Sequence, residues 1–458
     1  MRTSPSPISR RTLLKGALSG AVAPVAVMAI GSRARARTEA PPLAATAFDA
    51  GVVTSWCDEI LELIRTTPGY SPPVAARAIG YAGVALYEAL QPGIPYHPSL
   101  AGQLAAMPHM PAAGRNATYA WPVVANAALA EVLRRLFPTA TAERLAALDR
   151  LEASLASTAP RGIRERSAER GRDVAAAIFA WSTTDGGHEG YLRNVQPDYR
   201  PPEGEGLWVP TPPGFLPPLQ PRWGSNRTFV SAPPACDLGP PPPYSTDPGS
   251  PCFAEALEVY AAVNGLTAEQ LAVARFWADD PRATSTPPGH SLAILSQVIR
   301  DRDADLATSA RAFARLGIAV ADAFVICWRT KYSHHLLRPI TYIRQTIDPA
   351  WGNPLPVTTP PFPEYTSGHS VQSGAAASVL TAEFGPVAFI DRTHEWRGLA
   401  PRAFASFDAF AAEAAVSRLY GGIHFRSAIE RGLEQGRCVG GRAALIGLAQ
   451  DWTAKMPR

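Results

Sequence analysis

Three short blocks near the C-terminus of the 458-residue chain carry residue types suited to an anionic oxygen cluster: KYSHHLLRP (Lys331 to Pro339), YTSGHS (Tyr365 to Ser370) and SRLYGGIH (Ser417 to His424). Lys331, Arg338 and Arg418 contribute three cations, Ser367 and Gly368 a hydroxyl and close backbone N–H donors, and His369 and His424 two imidazoles. Such a set can hold the oxygens of a tetrahedral oxyanion through charge-assisted hydrogen bonds. One histidine can then bind the central atom, leaving the other for proton transfer.

Local spacing says how each block could aim its side chains. Lys331 and Arg338 are seven residues apart, about 20° short of two full helical turns, so one helix could present both on one face. Pro339 ends or distorts that segment where Arg338 must turn inward. His334 and His335 are adjacent, and neighbours on a helix diverge by about 100°, which argues against chelation of one ion and for a supporting or surface role. The Ser367-Gly368 turn opens an Ala/Ser/Gly-rich helix whose unpaired N–H groups favour anionic oxygens. Gly421-Gly422 breaks the helical phase between Arg418 and His424, which allows both to converge.

The elements that must position these blocks read as helices. Apolar residues recur at helical spacing in WCDEILELI, AARAIGYAGVALYEAL, NAALAEVLRRLF and VAAAIFAW between residues 48 and 182, and strand-like alternation is nearly absent. Residues 183–250 hold 16 prolines, which excludes helix and central strand. Trp208, Phe215, Trp223 and Phe229 interleave with those prolines, as in a belt packed over helices rather than a solvated linker. Helices resume at 251–264, then at a Thr267/Gln270 capping box, and at 287–302, 305–333, 368–384, 405–420 and 424–449. The chain therefore reads as all-α, organised as a leader (1–36), an N-terminal helical region (37–182), a Pro-rich loop (183–250) and a C-terminal helical region with the chemistry (251–458).

Composition narrows the partners. Apolar residues make up 46% of the chain, so it folds, and its formal charge is only +4. Arg2, Arg10, Arg11, Lys15, Arg33 and Arg35 lie in the first 36 residues without any acid, and taking these six charges from +4 leaves −2 for the rest. Neither a nucleic-acid nor an anionic-membrane partner has compositional support. The leader resembles a twin-arginine export signal: SRRTLLKG, an apolar run from Ala17 to Ile30 too short to span a bilayer, and Ala34-Arg35-Ala36 as a cleavage site. A periplasmic or secreted protein without a stable membrane span is expected. Of the five cysteines, Cys236 and Cys252 flank one loop closely enough to pair, and Cys327 in its apolar run reads as a buried small hydrophobe.

Lys-x6-Arg-Pro, Ser-Gly-His and Ser-Arg-x5-His in this order are similar to the shared pattern of the type 2 phosphatidic-acid phosphatase and vanadium-dependent haloperoxidase superfamily, over about residues 331 to 437. The preceding helices and WGSNRTFV resemble bacterial vanadium haloperoxidase-like proteins more loosely. The resemblance implies a large helical bundle with vanadate as cofactor. His424 would be the axial ligand, Lys331, Arg338, Ser367, Gly368 and Arg418 would hold the equatorial oxygens, and His369 would be the acid/base. Trp328 and Phe362 match aromatic pocket positions of chloroperoxidase-type members. These features imply a peroxidase that oxidises halide with hydrogen peroxide to hypohalous acid, and a homodimer is implied by resemblance alone. Two alternatives stay open: an acid phosphatase acting on a phosphomonoester through a His424 phosphoenzyme, without vanadate, and an oxyanion-binding protein without turnover. Thr366 stands where the family usually has proline. Ala428 stands where phosphatase members carry an acid that orients the last histidine, and Ser427 or Glu430 are the substitutes in reach by sequence.

Overall fold

Helical periodicity becomes thirteen α-helices in the computed structural model, which describes residues 43–447 apart from 116, 156, 231–235 and 353. They are α1 (Gly51–Thr66), α2 (Pro72–Leu90), α3 (Trp121–Leu136), α4 (Ala142–Ser154), α5 (Arg161–Ser182), α6 (Pro251–Asn264) and α7 (Ala268–Phe276), followed by α8 (Thr286–Asp301), α9 (Leu306–His334), α10 (Pro339–Thr346), α11 (Gly368–Phe384), α12 (Phe407–Tyr420) and α13 (Arg426–Ala443). One antiparallel hairpin pairs β1 (Phe389–Asp391) with β2 (Arg402–Phe404), in the register Phe389 to Phe404 and Asp391 to Arg402. The fold is all-α as expected. The described residues form one compact unit, and the reading of the leader concerns residues outside them. Among the described residues no helix is long and apolar enough to cross a membrane.

The central layer is built from helices that are apolar nearly all round, which is the pattern of a buried rather than a surface helix. Almost every residue of α2 is buried, and α2 packs along α9, whose 29 residues run through the middle of the core. Asp305 starts α9 by accepting the Thr308 N–H at 2.8 Å. The other side of α9 meets α11, which in turn packs on α12 and α13. Backbones approach closely there: a Cβ on Gly436 of α13 would sit 2.1 Å from the Val371 carbonyl oxygen of α11, so only glycine fits.

Two local expectations needed correction. Lys331 and Arg338 do not share a helical face. α9 stops at His334, His335 takes a left-handed conformation (φ 50°), and Arg338 is the N-cap of a separate helix, α10. Pro339 begins that helix because a missing N–H is harmless at the first helical position. The second correction concerns Cys236, which pairs with Cys438 on α13 rather than with Cys252, across 202 residues and a Cα separation of 5.6 Å. Cys252 is a buried free thiol on α6, and Cys327 is a buried free thiol on α9. Cysteine spacing along the chain cannot reveal such a long-range bridge. Replacing Cys438 with Ser is expected to destabilise the fold by about 2–5 kcal/mol. A thermal or urea midpoint equal to wild type under non-reducing conditions would contradict this.

The proline-rich stretch is a belt fastened to α9 and to the loop before α11. Trp208, Trp223 and Phe229 are buried, whereas Phe215 is 63% exposed and contributes nothing to the core. The Trp208 N–H donates to the His335 carbonyl (2.6 Å) and the Leu219 N–H to the Pro361 carbonyl (2.9 Å). Asp322 on α9 accepts the Phe229 and Val230 N–H groups at 2.7 and 2.8 Å. Burial pushes that carboxyl up to about 7, against the two N–H donors that favour its ionised form.

Candidate active site

Five loop and helix ends converge around one partly open cavity of about 100 Å³, whose lining includes Trp328, Phe362, Gly368, His369, Arg418 and His424. Lys331 comes from the last turn of α9, Arg338 from the cap of α10, Ser367 and Gly368 from the start of α11, Arg418 from the last turn of α12, and His424 from the turn before α13. Gly422 has φ 74°, which turns the chain between Arg418 and His424. Thr366, in the position of the usual proline, donates to Gln435 Oε1 at 2.7 Å and so ties this turn to α13. His334 and His335 do not join the site: they pack edge-on against Tyr365 and Tyr332, respectively.

The three cations are 0–2% exposed, and burial of a charge must be offset by fixed partners. Lys331 Nζ donates to the Pro363 and Glu364 carbonyls, each at 2.9 Å. Arg338 donates to the Phe362 carbonyl (2.8 Å), the Ile423 carbonyl (2.9 Å) and His424 Nε2 (3.1 Å). Arg418 Nη1 lies 3.3 Å from His369 Nε2, and its Nε donates to Ser417 Oγ at 3.2 Å. Burial lowers Lys331 to about 7 and both arginines to about 10. An anion placed among them would restore the charged forms.

Glu364 is the functional residue that spacing missed. Its Oε1 is 2.7 Å from His424 Nδ1 and accepts the Phe425 N–H at 2.9 Å. Arg338, which can only donate, faces His424 Nε2, so Nε2 carries the lone pair and Nδ1 the proton, which Glu364 Oε1 accepts. Burial raises Glu364 to about 8 against the pull of Lys331 and Arg338. Burial and the surrounding cations hold His424 well below its ordinary pKa. Neither expected substitute serves His424. Ser427 bonds Glu255 at 2.8 Å, and Glu430 sits 3.9 Å from Arg426. Ala428 is fully buried and its carbonyl accepts the Ser367 N–H at 3.0 Å. The signal available in the sequence was an acid inside the otherwise apolar PPFPEY run.

Aromatic walls surround the charges. Phe362 has Lys331 Nζ 5.0 Å and the Arg338 guanidinium 4.9 Å from its ring centre, within cation–π range. Trp328 packs on Phe362 at 4.9 Å and donates to the Leu219 carbonyl of the belt at 3.2 Å. His369 is half-buried, and burial together with Arg418 holds it well below its ordinary pKa, so it stays a neutral proton acceptor at pH 7. The donor set fits a bound vanadate: one imidazole lone pair, three cations, the Ser367 hydroxyl and the opening turn of α11.

Residues 311–449 match the family described as the VCPO second helical-bundle domain. The chain is 26% identical over 411 residues to the vanadium chloroperoxidase of Curvularia inaequalis, covering 73% of this chain and 65% of that protein, so it spans just under two thirds of that relative's length. It is 35% identical to a bacterial vanadium-dependent iodoperoxidase of known structure, with a TM-score of 0.78, covering 86% of this chain and 96% of that one. A bacterial vanadium-dependent chloroperoxidase in its apo form shares the fold at a TM-score of 0.63 and 17% identity, covering 82% of this chain and 94% of that one.

Proposed function

Because the chain belongs to the vanadium haloperoxidase-like family, we propose that it is a vanadate-dependent peroxidase that oxidises halide with hydrogen peroxide. The observation that carries this reading is the cavity wall. Phe324, Trp328, Phe362, Pro281, Pro287, Pro360 and Pro361 line a space of about 100 Å³, which suits a halide and a peroxide better than a hydrated phosphate ester. An apolar wall also favours the most weakly hydrated halide, and the relative at 35% identity is an iodoperoxidase. Iodide is therefore the halide we assign.

His424 Nε2 would hold vanadium, and Lys331, Arg338, Arg418, Ser367 and Gly368 would hold its oxygens. When bound, vanadate supplies Lewis-acid activation of hydrogen peroxide without a change of oxidation state. The protein's part is electrostatic and positional. The cations stabilise negative charge that grows on oxygen as the halide attacks, inside a wall that keeps water from screening them. His369, neutral at rest, accepts the proton that hydrogen peroxide gives up and returns it to the departing oxygen. We also infer export, supported by the basic leader and by the Cys236–Cys438 bridge, which belongs to an oxidising compartment.

The rival chemistry is phosphomonoester hydrolysis with His424 as nucleophile, since the same lone pair could attack phosphorus. Vanadate separates the two. Added to metal-free mature protein, orthovanadate should switch on peroxide-dependent iodide oxidation. Phosphatase activity that vanadate inhibits, with no iodide oxidation, would overturn the proposal in favour of the rival.

A further inference from the structure

One wall of the cavity comes from the end of α7 and the turn that follows it. The Ala274 carbonyl lies 3.5 Å from Arg418 Nη2, the Trp277 backbone lies against the His369 ring, and Asp279, Asp280 and Pro281 line the cavity. Behind this wall, His290 of α8 has a carboxylate on each ring nitrogen. Nδ1 is 2.8 Å from Asp279 Oδ2, and Nε2 is 2.7 Å from Asp391 Oδ2 on β1. Asp391 is fixed in turn, accepting the Thr393 N–H at 2.9 Å. The Trp277 indole stacks on the imidazole at 4.5 Å and donates to Glu413 at 3.0 Å.

Two carboxylate acceptors require two N–H donors, which a neutral imidazole lacks. The three side chains are 0–4% exposed, so the two negative charges need a buried counter-charge, and the stacked indole favours a cation. Burial alone would lower the His290 pKa, yet the carboxylates outweigh it and push it up to about 10. The three bonded groups come from the turn after α7, from α8 and from β1. Together they bolt the cavity wall to the hairpin.

We propose that His290 is a positioning residue: an imidazolium held between Asp279 and Asp391 that fixes residues 274–281 against Arg418 and His369. Its effect on turnover rests on the peroxidase reading above, whereas the clamp itself can be read without vanadate. A different use of the same cluster is a metal site, because Asp279, His290 and His394 offer ligand atoms within 4.8 Å of one another. The two short bonds to His290 favour the clamp, and the test separates them.

The test is 15N imidazole NMR on the full chain without vanadate, combined with Asp391→Ala and Asp391→Asn, neither of which alters a cavity-lining residue. Wild type should show His290 with both ring nitrogens protonated at pH 7. Asp391→Ala should remove that signature and move the His369 resonances. It should also weaken vanadate binding and lower kcat/KM for iodide about tenfold, the size of one lost charge-assisted hydrogen bond. Asp391→Asn, which keeps an oxygen acceptor, should restore most of that loss. A singly protonated His290, His369 resonances unmoved in Asp391→Ala, or one equivalent of zinc retained by wild type after gel filtration would each overturn the clamp. Failure of the peroxidase reading would show separately, as wild-type protein that oxidises no iodide while the NMR signatures stand.

Discussion

Replacing Glu364 with Ala is expected to weaken vanadate binding by about 10–100-fold, the usual cost of losing the group that orients a ligating histidine. Glu364 Oε1 is the acceptor on which His424 Nδ1 and the Phe425 N–H both depend. Without it, the proton of His424 can move to Nε2 and the lone pair no longer faces the cavity. Above the Glu364 pKa of about 8 the same change also strips Lys331 and Arg338 of a nearby negative charge, which acts in the opposite direction by favouring an added anion. Glu364→Gln separates the two effects. Its amide oxygen keeps the His424 tautomer while any charge is gone, so a loss confined to Ala assigns the effect to orientation, and a gain in Gln reads the opposing effect of charge. Calorimetric titration with orthovanadate reads both variants. Wild-type affinity in the Ala variant, with intact circular dichroism, would remove Glu364 from the site.

Arg418→Ala is expected to lower kcat/KM for peroxide-dependent iodide oxidation by about 10²–10³-fold, the range for losing one preorganised donor to a developing oxyanion. Arg418 is buried at the end of α12, beside His369, with its Nε held by Ser417. Removing it takes away a positive charge and also releases His369 from the repulsion that, second to burial, keeps it neutral, so the pH optimum should shift as activity falls. Arg418→Lys tests geometry against charge, since an ammonium cannot reproduce the planar fork of donors. Near-normal iodide oxidation by the Ala variant under vanadate saturation would refute the role given to Arg418.

Much of the scaffold was legible because its signals are local. α6 and α11 run as the periodicity and caps predict, 251–264 and 368–384, and Thr267 forms its capping box with Gln270. The three blocks also meet in space, because the break at Pro339 and the Gly421-Gly422 turn are readable where they occur. What escaped reading depends on contacts between distant segments. Glu364 reaches His424 across 60 residues, and Asp279, His290 and Asp391 come from three separate elements. The pairing of Cys236 with Cys438 and the short hairpin fall in the same class, since nothing in their own neighbourhoods names the partner. The expected face shared by Lys331 and Arg338 failed for a related reason: an ideal helical phase was carried past a helix that ends at His334.

The close approach of α13 to α11 at Gly436 also bears on how such a site could be altered by selection or by design. A helix pair in which a single methyl group would collide with backbone has no slack with which to shift Ser367 or His424 by small steps. Variation that preserves the oxyanion cradle must therefore enter through the segments at its rim, residues 281–285 and 357–361, where Pro281, Val357, Thr358, Pro360 and Pro361 meet the cavity outside the helices. The scaffold thus divides into a portion that resists drift and a portion open to it, and new substrate preferences would be expected to arise in the second.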